Sequence, residues 1–222
     1  MPPFLSLADR DSPDFEARRA AVDVVCAGDS ITGWNNFRRH EPDWPFCSYP
    51  EFLQELCGAV GLNVADCGIA GEVSPNGVGQ VSEYLRLFPN ARSFVVGFGA
   101  NDLDRWPDLE ETSPRVIGNL GRMAEAVRGD GRSVLLIDLL NFDESRVPPD
   151  EAGALRRMFV EHNRRLRDYC ASLGIPLVEN FGKLGPGDFS DPFHPNESGA
   201  RIIAREVFQS LNGLRGFETL TP

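Results

Sequence analysis

Hydrophobic positions along the chain fall into two alternating patterns. Short apolar runs rich in β-branched residues occupy positions 22–27, 62–67, 93–98, 134–139 and 175–178, and they predict five buried parallel strands. Between them lie stretches with apolar residues at helical spacing. One carries Tyr49, Phe52, Leu53, Leu56 and Val60, and a shorter one Val78, Val81, Leu85 and Phe88. Val116, Ile117, Leu120, Met123 and Val127 form a third stripe, preceded by Ser113-Pro114, which predicts a helix cap with proline in the first helical position. Leu155, Met158, Phe159, His162, Leu166 and Tyr169 share a fourth face, and Ile202, Ile203, Val207 and Leu211 a fifth. Strand and helix alternate about five times, which predicts a parallel sheet with helices on both faces and right-handed crossovers.

A chain of 222 residues with this pattern predicts one domain over residues 22–212, a charged N-terminal extension at 1–21 and an irregular tail at 213–222. Acidic residues number 33 against 22 basic, a formal charge of −11, which disfavours nucleic acid and anionic membrane as partners. No apolar run approaches the roughly eighteen residues of a membrane span, and the first 21 residues carry too many charges for a signal peptide. The five cysteines are odd in number and none has CxxC spacing. Cys26 and Cys67 fall within predicted strands, so free buried thiols and a reducing, cytoplasmic setting are expected.

In open α/β sheets ligands bind beyond the carboxyl ends of the strands. Four loops at those predicted ends hold residue types suited to acyl chemistry. Ser30 follows the first strand in Gly28-Asp29-Ser30, where it could serve as a nucleophile once a base takes its proton, or as an ordinary turn or cap residue. Asp191 and His194 are three apart in one proline-flanked loop, a spacing that lets a carboxylate orient an imidazole base. The same segment also reads as a solvated turn before a helix capped by Asn196. Of the three histidines, His40 lies in a polar loop and His162 on a buried helical face, which leaves His194 as the candidate base. Gly71 and Asn101 could donate hydrogen bonds to a developing oxyanion, through a backbone N–H and a side-chain amide, or simply form turns. No clustering of His or Cys near this loop points to a metal, and no cofactor is implied.

Ala27-Gly28-Asp29-Ser30-Ile31-Thr32, Asp66-Cys67-Gly68-Ile69-Ala70-Gly71, Gly99-Ala100-Asn101-Asp102 and Asp191-Pro192-Phe193-His194-Pro195-Asn196 stand in the order of the four blocks of the SGNH/GDSL hydrolases, and the chain resembles that family from about residue 22 to 211. The resemblance implies a flavodoxin-like three-layer α/β/α sandwich around a five-stranded parallel sheet. It implies Ser30 as nucleophile, His194 as base, Asp191 as orienting group, and Gly71, Asn101 and the Ser30 N–H as the oxyanion hole. Ile31, Asp66 and Val73 depart from the family's usual leucine, asparagine and small hydroxyl residue; the last two leave the shape of the Gly71 loop open. The G-x-S-x-G pentapeptide of α/β-hydrolases is absent.

The function expected is hydrolysis of carboxylic esters through an acyl-enzyme at Ser30. The same site could instead pass its acyl group to another acceptor, and the same fold could serve as a non-catalytic module holding a phosphate at the Gly68–Gly71 turn. No long apolar lid is visible in the sequence, which favours short acyl or acetylated substrates, carbohydrate esters included. Trp34 and Trp106 follow two of the blocks and could line the pocket.

Overall fold

The computed structural model describes residues 4–33, 47–214 and 217. Trp34 and His40 lie outside the described residues. All strands are parallel: β1 (Leu5–Ser6), β2 (Val24–Gly28), β3 (Val64–Gly68), β4 (Ser93–Gly97), β5 (Ser133–Ile137) and β6 (Leu177–Val178), in the spatial order β1-β3-β2-β4-β5-β6. The helices are α1 (Phe15–Ala20), α2 (Ser30–Gly33), α3 (Tyr49–Ala59), α4 (Ser74–Leu87), α5 (Ala100–Arg105), α6 (Leu109–Gly129), α7 (Pro149–Leu173) and α8 (Glu197–Leu211).

Alternation along the strands sends side chains to two separate cores. Val25, Ala27, Phe94, Val96 and Leu136 face α4, α6 and the C-terminal half of α7, while Val24, Cys26, Val95, Leu135 and Ile137 face α3 and α8. Burying each such large apolar side chain contributes about 1.5–3 kcal/mol. A third apolar cluster, around Leu103, Leu139, Phe142 and Phe159, sits apart from both.

The sheet has six strands, one more than the hydrophobic pattern predicts. The addition is β1, a two-residue strand paired with Ala65 and Asp66 of β3, too short and too closely followed by charged residues to show a period. The segment before residue 22 therefore supplies an edge strand and a helix, with Leu5 and Phe15 buried in the core. At the other end, Leu214 and Phe217 also pack into the core, and the guanidinium of Arg92 lies 4.7 Å over the Phe217 ring.

Two helix starts differ from expectation. α6 begins at Leu109, capped by Asp108 through the N–H groups of Glu110 and Glu111, and Pro114 lies inside it. Ser113 is not a cap: it is buried, with its Oγ 3.0 Å from Nδ1 of His162 on α7. α4 begins at Ser74, four residues ahead of Val78, where the apolar stripe starts, with Pro75 in its first turn. Gly77 there faces Phe98 and Met123 so closely that an added Cβ would come within 2.9 Å of both. All five cysteines are free and buried. Among the described residues no helix is long and apolar enough to cross a membrane.

Strands β2, β3 and β4 end level with one another at Gly28, Gly68 and Gly97. The backbones crowd at this edge. A Cβ on Gly68 would lie 2.3 Å from the Gly33 nitrogen, and one on Gly28 would lie 2.6 Å from the Gly97 carbonyl oxygen. Absence of side chains here lets α2, which begins at Ser30, turn immediately across the ends of the strands.

Candidate active site

Ser30 opens α2 directly after β2 and is nearly buried. The preceding Asp29 fixes that turn: its Oδ1 accepts from the Ile31 N–H at 3.0 Å, and its carbonyl accepts from Thr32 and Gly33. Burial pushes the Asp29 carboxyl up to about 7, against the Ile31 N–H, which favours the ionised form.

The Oγ of Ser30 lies 3.0 Å from His194 Nε2, and His194 Nδ1 lies 2.8 Å from Asp191 Oδ2. The other carboxylate oxygen, Oδ1, accepts the N–H groups of Phe193 at 2.8 Å and His194 at 2.7 Å. Burial raises the Asp191 carboxyl, but the His194 ring and the two N–H groups together outweigh it and hold the group below the ordinary value. An ionised carboxylate accepts only, so Nδ1 carries a ring proton, and in the neutral form of the ring Nε2 is left to accept from Ser30. Residues 164 apart in sequence are thus joined in the order hydroxyl, imidazole, carboxylate.

The loop bearing Asp191 and His194 is held from outside. The Asp143 N–H donates to the Pro192 carbonyl at 2.8 Å, and Arg146 donates to the Ser190 carbonyl at 2.8 Å. Arg146 is itself paired with the buried carboxylate of Asp143 at 3.1 Å. Asn196 caps α8 just behind, accepting from the Gly199 N–H.

Gly71, at φ +76°, and Asn101, on the first turn of α5, approach through three consecutive ties. Asn101 Nδ2 donates to the Glu72 carbonyl at 3.0 Å, which leaves its second N–H to donate elsewhere. Buried Asp102 accepts both the Ser74 N–H and the Ser74 hydroxyl at 2.8 Å, and Asn119 donates to that hydroxyl. Arg105 donates to the Gly71 carbonyl at 2.8 Å. One face of a short helix therefore clamps residues 71, 72 and 74. Removing the Arg105 clamp is expected to lower kcat about tenfold, with a smaller change in KM. If the Gly71 N–H meets a developing oxyanion, as the family resemblance implies, that is less than the roughly 10²–10³ lost with a whole oxyanion donor, because the N–H stays but is less firmly placed. Steady-state kinetics of Arg105→Ala, with Arg105→Lys as partial rescue, check this; a KM effect alone would contradict it.

Beside Ser30, Asn101 and His194 opens a cavity of about 1110 Å³. Gly71 is not among its lining residues. A GDSL-like lipase/acylhydrolase family model matches residues 26–202. The chain belongs to that family. Solved structures agree in fold. A GDSL-like lipase from Bacteroides thetaiotaomicron is 20% identical, with TM-score 0.65 over 94% of this chain and 98% of its own. A lipolytic G-D-S-L protein from Veillonella parvula is 22% identical, with TM-score 0.65 over 87% and 100%. A carbohydrate acetylesterase from Sinorhizobium meliloti is 14% identical, with TM-score 0.68 over 87% and 100%. A comparison with curated protein sequences gives no match.

Other features of this GDSL-like hydrolase fall in three places. Trp106 is exposed beside the site but does not line the cavity; its ring lies under the Arg115 guanidinium at 4.6 Å, and Pro107 and Leu109 take the lining position. His162 is fully buried, and burial, with the Arg165 charge, pushes it down to about 4, so it stays neutral inside the helix interface. Among the described residues no cluster of three His, Cys, Asp or Glu side chains is placed to hold a metal.

Asp138, at the end of β5, lines the cavity and accepts from the Asn180 N–H at 2.7 Å. Burial lifts its carboxyl to about 7, against the pull of the Asn180 and Phe181 N–H groups. A raised carboxyl favours the folded state while protonated, fully so below its unfolded value of 3.8, and that contribution is lost as pH rises through about 7. Asp138→Asn is therefore expected to shrink the fall in Tm between pH 5 and pH 8. Thermal melts across that window check it, and an unchanged slope would contradict it.

Proposed function

We propose that this chain is a serine ester hydrolase that works through an acyl-enzyme at Ser30. The observation that carries the reading is the continuous hydrogen-bonded line from Ser30 Oγ through His194 to Asp191 at the edge of an open cavity. In this reading His194 Nε2 takes the hydroxyl proton as Ser30 Oγ bonds to the ester carbonyl carbon. The carbonyl oxygen becomes negative and is met by the second Asn101 amide N–H and by the N–H groups of Gly71 and Ser30. Collapse breaks the bond to the leaving oxygen, which departs as an alcohol carrying the proton from His194. Water then gives a proton to His194 and attacks the acyl group, and the acid is released as Ser30 regains its proton.

Asp191 holds the imidazole in the needed tautomer and offsets its charge when protonated. Because both oxygens of Asp191 already accept hydrogen bonds, the ring is fixed before substrate arrives. Mixing the protein with excess p-nitrophenyl butyrate is expected to release a burst of one phenolate per chain when deacylation is the slower step, and acid quenching should trap one butyryl group on the Ser30 peptide. A butyryl group found on another residue, or hydrolysis at an unchanged rate without Ser30, would defeat the proposal.

A further inference from the structure

We infer that the cavity beside Ser30 is an acyl cleft for chains of medium length, carried on uncharged alcohols. This deepens the ester-hydrolase reading and rests on it. It also departs from the short-acyl expectation, which came from the sequence showing no lid. The wall of the cleft is built within the chain instead.

The third apolar cluster lies outside the two cores that sandwich the sheet, so it is not needed to cover either face. Its residues instead line the cavity that Ser30 and His194 share: Leu109, Leu139, Phe142, Leu155, Met158 and Phe159. An aromatic series connects this wall to the catalytic loop. Phe193, next to His194 and exposed, has its ring centroid 5.8 Å from Phe142, which meets Phe159 edge-on at 5.7 Å. An acyl group on Ser30 would find apolar surface leading from the reacting carbon to the N-terminal half of α7. The volume, about 1110 Å³, lies just above the roughly 300–1,000 Å³ that encloses a whole drug-sized ligand, and acetyl would leave most of it empty.

Charge sets the length and the leaving group. On α7 the cavity lining between Ala154 and Phe159 is apolar at Ala154, Leu155, Met158 and Phe159 and interrupted by Arg157, with Asp150 and Glu151 before it and Glu161 after it. Five residue steps of about 1.5 Å give a strip of about 7.5 Å, which about six extended carbons cover, so an octanoyl chain fills it beyond its carbonyl end. A longer chain would press methylenes against carboxylates. Asp104 also lines the cavity, so among the described lining residues Asp104, Asp150, Glu151 and Glu161 stand against one guanidinium, that of Arg157. A field of that sign opposes a phosphate-bearing leaving group such as coenzyme A.

The test is the kcat/KM series of p-nitrophenyl acetate, butyrate, octanoate, laurate and palmitate. The expected result is a maximum at octanoate, at least tenfold above acetate; acetate equal to or above octanoate would overturn the cleft. Met158→Glu places a carboxylate mid-strip on a helix that tolerates it, and is expected to cut the octanoate-to-acetate ratio at least fivefold. An unchanged ratio would place the chain elsewhere and overturn the assignment. Octanoyl-coenzyme A should be at least tenfold poorer than the octanoyl thioester of N-acetylcysteamine, whose thiol is neutral; parity would overturn the charge argument. Ethyl and octyl fluorophosphonates separate the two levels. Faster labelling by the octyl probe supports the cleft. Equal labelling by both overturns the cleft alone, and labelling by neither overturns the acyl-enzyme reading beneath it.

Discussion

Ser30→Ala is expected to lower kcat for a p-nitrophenyl ester by roughly 10³- to 10⁶-fold, the range seen when a residue of such a triad is removed. The change deletes one oxygen from a nearly buried position at a helix start, where alanine is well tolerated, so the fold should survive. KM should move little, because the cavity and its lining residues are intact. On the acyl-enzyme reading, what is lost is the covalent step itself. His194 could still assist direct attack by water, and the residual rate should reflect that plus whatever the oxyanion donors supply. Turnover within tenfold of the unaltered protein would mean that another group does the chemistry.

The second large effect is expected at Asp191→Asn, about 10⁴-fold in kcat. Asp191 Oδ1 is committed to two N–H donors, those of Phe193 and His194, so the amide oxygen of an asparagine would stay there and its NH₂ would replace Oδ2. That NH₂ would face His194 Nδ1 at a distance where the carboxylate now sits at 2.8 Å. A donor there makes Nδ1 the acceptor and moves the ring proton to Nε2, the atom that must take the serine proton. The loop geometry would persist while the base is disabled, so Tm should change far less than kcat. A loss smaller than tenfold would show that the carboxylate does not set the tautomer.

Hydrophobic periodicity exposed most of the architecture because long buried strands and amphipathic helices leave strong signals. The strands ending at Gly28, Gly68 and Gly97 and the helices beginning near Tyr49 and Glu197 were legible for that reason, as was the body of α7 from Leu155 on. What escaped was decided by tertiary contact. β1 holds two residues and takes its stability from the neighbouring strand. α4 starts four residues before its apolar stripe, and Ser113 looks like a cap yet partners a buried histidine. In the site, Ser30, Asn101, Asp191 and His194 were legible as chemical types at strand ends. Arg105, Asp102 and Arg146 were not, because each acts on a backbone carbonyl or N–H of a distant loop, which leaves no trace in spacing. Met158 reads as one member of an ordinary helical stripe and Phe142 belongs to no predicted strand or helix; only the fold turns them toward the cavity.

Activation of Ser30 can be read directly by exposing the protein to a fluorophosphonate at neutral pH and mapping the adduct by mass spectrometry. The account predicts one adduct per chain, on the peptide containing Ser30, formed in step with loss of esterase activity and absent from His194→Ala. Labelling that leaves Ser30 untouched while activity disappears, or undiminished labelling of Ser30 without His194, would contradict it.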